Sequence, residues 1–127
     1  IFIDFDHVDR AGHIFGFNPK GKRYVSAIEK VDKYIGLITD SMQKRRTFKS
    51  EDWLIIITSD HGGLKRNHGG QSVHEVNIPI IISGSSFKGK KITRQAYLTD
   101  IVPTIFHHYN IEIDSSWGLD GFPLKGS

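Results

Sequence analysis

Trp53-Leu54-Ile55-Ile56-Ile57-Thr58 runs directly into Ser59-Asp60-His61-Gly62-Gly63, and the reading of this stretch sets the frame for the whole chain. The first six residues form a continuous β-branched and aromatic run of buried-strand length. The glycine pair lets the backbone break away from regular structure soon after the strand ends. Aspartate and histidine therefore arrive together at the carboxyl end of a strand, where open α/β sheets collect their ligands.

The flanking segments extend the pattern. Tyr24, Ile28, Val31, Ile35, Ile38 and Met42 recur at alternating spacings of four and three. They make one apolar stripe of an amphipathic helix, with Glu29, Lys30, Asp32, Lys33 and Asp40 facing water. The helix is predicted to end near Lys44-Arg45-Arg46, where positive charge suits the C-terminal end of the dipole. Ile1-Phe2-Ile3-Asp4-Phe5 is apolar on nearly both faces and reads as an inner strand of a covered sheet. A loop is expected over about residues 6–20. Strand, helix and strand in this order predict a right-handed parallel crossover.

A second strand is predicted over residues 78–83, with Pro79 placing its start at an edge or a bulge. A helix should begin near Thr99 or Asp100, since Pro103 is tolerated only in a first turn. It should carry Ile101, Ile105 and Phe106 inward and end near Tyr109 or Asn110. The tail from Trp117 to Leu124 reads as loop, with room for a short edge strand. The expected fold class is α/β, a mostly parallel sheet flanked by helices in one domain.

Composition narrows the function. A chain of 127 residues, 38% hydrophobic and 24% charged, is ordinary for a globular domain. The absence of cysteine excludes disulfides and thiolate metal sites. No apolar run approaches the roughly 18 residues of a membrane span, and the start lacks the basic stretch of a secretory signal. The net charge is +3, but the basic groups, Lys44-Arg45-Arg46 and the lysines of residues 88–91, are short. They read as solvated surface rather than a patch for a nucleic-acid duplex. The chain opens inside a predicted strand without an initiator methionine, so the expectation is a C-terminal portion of a longer catalytic domain.

Three clusters carry chemistry: Asp9-Arg10-Ala11-Gly12-His13, Asp60-His61-Gly62-Gly63 and His68-Gly69-Gly70. The first lies just past one predicted strand and the second at the end of another, so both map to the same rim of the sheet. Aspartate and neutral histidine are the ligands expected of zinc where cysteine is absent. The four-residue step from Asp9 to His13 points both side chains one way if the chain makes a helical turn there. Each pair alone is compatible with ordinary turn chemistry; the combination points to a metal. His74 competes with His68 as the third histidine. His7 reads as a loop residue or a substrate contact, Arg10 as surface, and His107 and His108 as helix-end residues whose partial charge suits the dipole. Glu75 is a candidate for holding a histidine or loop amides.

In order and context, Asp9-Arg-Ala-Gly-His13, Ser59-Asp60-His61-Gly62 and His68-Gly69 resemble the metal motifs of the alkaline phosphatase superfamily. The likeness is closest to its type I phosphodiesterase/nucleotide pyrophosphatase branch. The run from His68 through His74-Glu75 to Pro79 is also similar to the phosphoethanolamine-transferring members. The resemblance implies two divalent metal ions, zinc or alternatively manganese. Asp9, His13 and His68 would hold one ion, and Asp60 and His61 the other. It further implies an aspartate and a threonine or serine nucleophile from an upstream segment, so no catalytic nucleophile is expected here and the chain alone is expected to be inactive. The implied activity is hydrolysis of a small-molecule phosphate ester or phosphodiester, in a periplasmic or extracellular setting. Cofactor-independent phosphoglycerate mutase shares an Asp-x-x-Gly-His step and an Asp-His-Gly turn, and usually works with manganese. A sulfatase shares Ser-Asp-His-Gly. A non-catalytic metal-binding fragment is the alternative from a different class.

Overall fold

The structure is a computed structural model that describes residues 1–127. The chain divides into two compact units, one of Ile1–Ser50 with His61–Ile78 and one of Glu51–Asp60 with Pro79–Ser127.

The first unit is helical. Helix α1, His7–Phe15, packs along helix α2, Lys22–Gln43. Residues 6–20 were expected to form a loop, and α1 is the correction. The carbonyl of Asp6 accepts the Arg10 amide at 3.0 Å, and Asp9 in the first turn with His13 in the last complements the dipole. Gly12, Gly16 and Pro19 mask this helix in the sequence. Gly16 supplies the stop, at φ +95°, a conformation that favours glycine. Aromatic contacts hold the pair: Phe5 stacks on Tyr34 at 6.0 Å, and the Arg23 guanidinium lies 4.8 Å from the Phe15 ring centre. Helix α2 matches its predicted span, although its apolar stripe is only half-buried and Ile28 remains 44% exposed.

Residues 1–5 form no strand; Ile1 and Phe2 are fully exposed. An apolar extended segment becomes a strand only when a neighbour takes up its amides and carbonyls, and here none does. The rest of this unit is a folded-back loop. Gly62 and Gly63 donate to the carbonyls of Glu75 and His74 at 2.7 and 2.9 Å. Leu64 and Asn67 exchange main-chain hydrogen bonds around Lys65, which sits at φ 57°. The loop ends in the single-turn helix α3, Val73–Val76, closed by a Ser72/Glu75 capping box.

The second unit contains strands β1, Ile55–Thr58, and β2, Ile80–Ser83. They pair antiparallel, Ile55 opposite Ser83 and Thr58 opposite Ile80. The predicted parallel sheet is not present: residues 1–5, the strand expected to enter the crossover through α2, form no strand, and the only partner of β1 is β2. A parallel crossover must carry the chain back along the full strand, usually through a helix of a dozen or more residues. Between these strands the only helix is the four-residue α3, so β2 returns antiparallel. Pro79 stands immediately before β2, and its carbonyl accepts the Thr58 hydroxyl at 3.0 Å.

Helix α4, Ile101–His108, begins with Pro103 in its first turn, as expected. The Thr104 hydroxyl donates to the Asp100 carbonyl at 2.6 Å and accepts the Leu124 amide at 2.9 Å. Leu124 is 1% exposed, a burial that stabilises by roughly 2 kcal/mol. The tail forms no edge strand. It is tied by Leu124, by Phe122 and by reciprocal main-chain bonds between Lys91 and Ser127. No helix of the chain is long and apolar enough to cross a membrane.

Candidate metal centre

Helix α1 places Asp9 and His13 one turn apart on one face, as the four-residue step requires. Asp9 Oδ2 lies 3.4 Å from His13 Nε2. The loop after His61 brings in His68, whose Nε2 is 3.1 Å from His13 Nε2 and 3.6 Å from Asp9 Oδ1. All three donor atoms fall within 4.8 Å of one another.

Two details bear on whether this cluster suits a cation. His13 Nδ1 donates to the Arg66 carbonyl at 2.8 Å. A carbonyl only accepts, so the neutral ring carries its proton on Nδ1 and presents a lone pair at Nε2. Asp9 Oδ1 is buried and has no hydrogen-bond partner. A buried acceptor left in this state costs free energy unless something positive meets it. Two imidazoles and one carboxylate are donors of the kind a divalent cation takes and would contribute a single negative charge. The donor set therefore fits a metal ion.

His61 lies flat on His68, ring centres 3.6 Å apart and planes inclined by 17°. Its Nδ1 donates to the Gly62 carbonyl at 2.8 Å. Asp60 precedes it directly, just beyond Thr58 at the end of β1. His74, the competitor for the third position, sits exposed on α3 and serves the loop through its backbone carbonyl. His7 touches the Tyr34 ring edge, and Arg10 pairs with Asp6 at 3.7 Å on the surface. His108 lies 4.0 Å from Asp52.

Glu75 holds the His68 loop. Its carboxylate accepts the Ser72 hydroxyl, the Gly70 amide at 2.8 Å and the Ser72 amide at 3.3 Å. The Ser72 hydroxyl, then the Gly70 amide, keep it below the usual carboxylate range against the opposing effect of desolvation, with smaller help from the Ser72 amide and His68. Gly69 at φ +101° makes the turn that delivers His68. Phe17 and Tyr24 were not anticipated. Phe17 contacts the rings of His13, His68 and Tyr24. Burial, and then the negative charge of Asp9, raise the Tyr24 phenol above its ordinary pKa. No spacing in the sequence marked Phe17, which lies beyond the end of α1 and reaches the histidines only through the fold.

The family model of the metalloenzyme superfamily matches residues 1–113. The chain belongs to the metalloenzyme superfamily. The alkaline-phosphatase-like resemblance carried by the Asp/His motifs thus holds at superfamily level. Among curated relatives, this superfamily member is 26% identical over 119 residues to the 2,3-bisphosphoglycerate-independent phosphoglycerate mutase of Clostridium tetani, covering 89% of this chain and 21% of that protein. The Moorella thermoacetica enzyme of the same name is 27% identical over 131 residues, covering 99% of this chain and 23% of the mutase. The catalytic subunit of human GPI ethanolamine phosphate transferase 2 is 27% identical over 109 residues, covering 82% of this chain and 11% of the transferase. The chain therefore spans about a fifth of the length of the mutases it matches. No solved structure matches it significantly.

Proposed function

We propose that the chain contributes the Asp/His half of a two-metal centre in a phosphoric ester hydrolase of the phosphodiesterase/nucleotide pyrophosphatase kind. The supporting observation is the convergence of Asp9, His13 and His68 around Asp9 Oδ1, which accepts no hydrogen bond. In this reading these three residues hold one divalent ion, Asp60 and His61 contribute to a second, and a threonine or serine nucleophile comes from outside these 127 residues. Bound divalent ions would supply positive charge against phosphoryl oxygens and lower the pKa of an attacking hydroxyl or water.

The chain's own residues prepare the site for that chemistry. Asp9 brings the negative charge. The Arg66 carbonyl keeps the His13 tautomer with Nε2 open. Glu75 fixes the turn that presents His68. His61, stacked on His68, is oriented by the bond of its Nδ1 to the Gly62 carbonyl.

A second reading, a phosphoglycerate mutase working with manganese or a phosphoethanolamine transferase, is favoured by the names of the relatives. Metal analysis and a substrate panel on the full-length protein separate the two. The hydrolase reading expects about two zinc ions per chain and turnover of a bis-aryl phosphate above aryl phosphate and aryl sulfate. Manganese with phosphoglycerate interconversion or phosphoethanolamine transfer, and no diester turnover, would select the second. Calcium alone with aryl sulfate turnover would overturn both.

A further inference from the structure

We infer that Phe17 is a positioning residue of the Asp9, His13 and His68 centre, providing the aromatic surface against which both imidazoles are set. The inference rests on the metal-centre reading above and adds to it the means by which the ligands are held in register. Asp9 and His13 come from α1, whereas His68 comes from a loop far along the chain. The ligands from these two sources need a shared reference surface. Phe17 is placed to be that surface. Its amide donates to the Lys65 carbonyl at 2.7 Å, tying the end of α1 to the histidine loop at the main chain. Its ring then meets His13 edge-on at 5.6 Å and His68 edge-on at 6.2 Å. Tyr24 of α2 packs against the same ring at 5.7 Å.

Two glycines make room for it. A Cβ on Gly12 would fall 2.3–2.5 Å from Phe17 ring atoms, and a Cβ on Gly63 would fall equally close. Gly12 belongs to α1 and Gly63 to the loop, so the ring occupies a slot between the two ligand-bearing segments, and neither glycine can gain a side chain without moving it. A leucine at position 17 would fill part of the volume but offer no flat face to either imidazole.

Cobalt(II) titration of the full-length protein tests this, read by competition with a chromophoric chelator and by the visible ligand-field spectrum. Phe17→Leu is expected to lower Co²⁺ affinity about tenfold or more, the size seen when groups supporting metal ligands are changed, and to shift the visible bands. Phe17→Tyr should keep both. Gly63→Ala should weaken binding in the native background but add little in Phe17→Ala, where the clashing ring is gone; such non-additivity marks direct coupling. Unchanged affinity and spectrum in a folded Phe17→Leu, or additive Gly63→Ala and Phe17→Ala effects, overturn the inference while native Co²⁺ binding leaves the metal-centre reading standing. A native protein that binds no Co²⁺ overturns both. If circular dichroism shows Phe17→Leu unfolded, Gly63→Ala decides: lost affinity in a folded protein supports the inference, and native affinity with a native spectrum overturns it.

Discussion

Asp9 and Asp100 are carboxylates that this chain treats in opposite ways. Asp100, in the second unit, is 1% exposed and fully engaged. It accepts Arg94 Nη1 and the Tyr97 amide at 2.8 Å and the Phe122 amide at 2.9 Å. Burial alone would raise its pKa, but the Arg94 hydrogen bond and the Phe122 and Tyr97 amides outweigh it and hold the carboxyl below its ordinary value. Asp9, in the first unit, keeps a buried oxygen with no hydrogen-bond donor at all and faces two histidine nitrogens. A satisfied buried carboxylate is a structural tie. A carboxylate oxygen left without a donor beside imidazole nitrogens is chemically suited to a cation.

Four substitutions break or sharpen this contrast. Asp9→Ala should have the largest effect, a loss of metal affinity beyond ~100-fold, because it removes a ligand rather than a group supporting one. Its metal-free stability should stay within about 0.5 kcal/mol of native, since no hydrogen bond to Oδ1 is lost. Isothermal titration and urea unfolding check the two halves of that expectation. Asp100→Ala should invert the pattern. Metal affinity stays native, while unfolding becomes easier by about 1–3 kcal/mol as two amides and Arg94 lose their acceptor.

The same carboxyl gives a pH signature. Its pKa is lowered on folding, so its stabilisation is fully present above the unfolded carboxyl value, near pH 4, and is lost as pH falls through the folded value. The difference between native and Asp100→Ala unfolding curves should therefore be full at pH 7, begin to shrink near pH 4 and reach its minimum only below the lowered folded value; a difference unchanged at the acidic end would exclude the carboxylate's charge as its source. Glu75→Gln comes next, an expected loss of roughly tenfold in metal affinity through the loosened His68 turn, measured by the same titration. Arg10→Ala should change neither quantity measurably, because its pair with Asp6 is exposed.

Much of this was legible in the residues. The apolar stripe of α2, the β-branched run of β1, the existence of β2 within residues 78–83 and the place of Pro103 in α4 all follow from short-range periodicity and backbone sterics. Helix α1 was not legible, because its glycines and the nearby proline mimic a loop while its stability comes from packing on α2. The direction of strand pairing was equally hidden. It depends on what the connection between β1 and β2 becomes in space, and hydrophobic patterning does not encode that.

The candidate site divides along the same line. Residue chemistry and a four-residue step named Asp9, His13, Asp60, His61 and His68, because ligand type and helical spacing are properties of the chain itself. Only tertiary structure put the His13 proton on Nδ1 through Arg66, left Asp9 Oδ1 without a hydrogen-bond partner and set Phe17 between two glycines. Those outcomes depend on distances between segments remote in sequence, and only the folded backbone determines such distances.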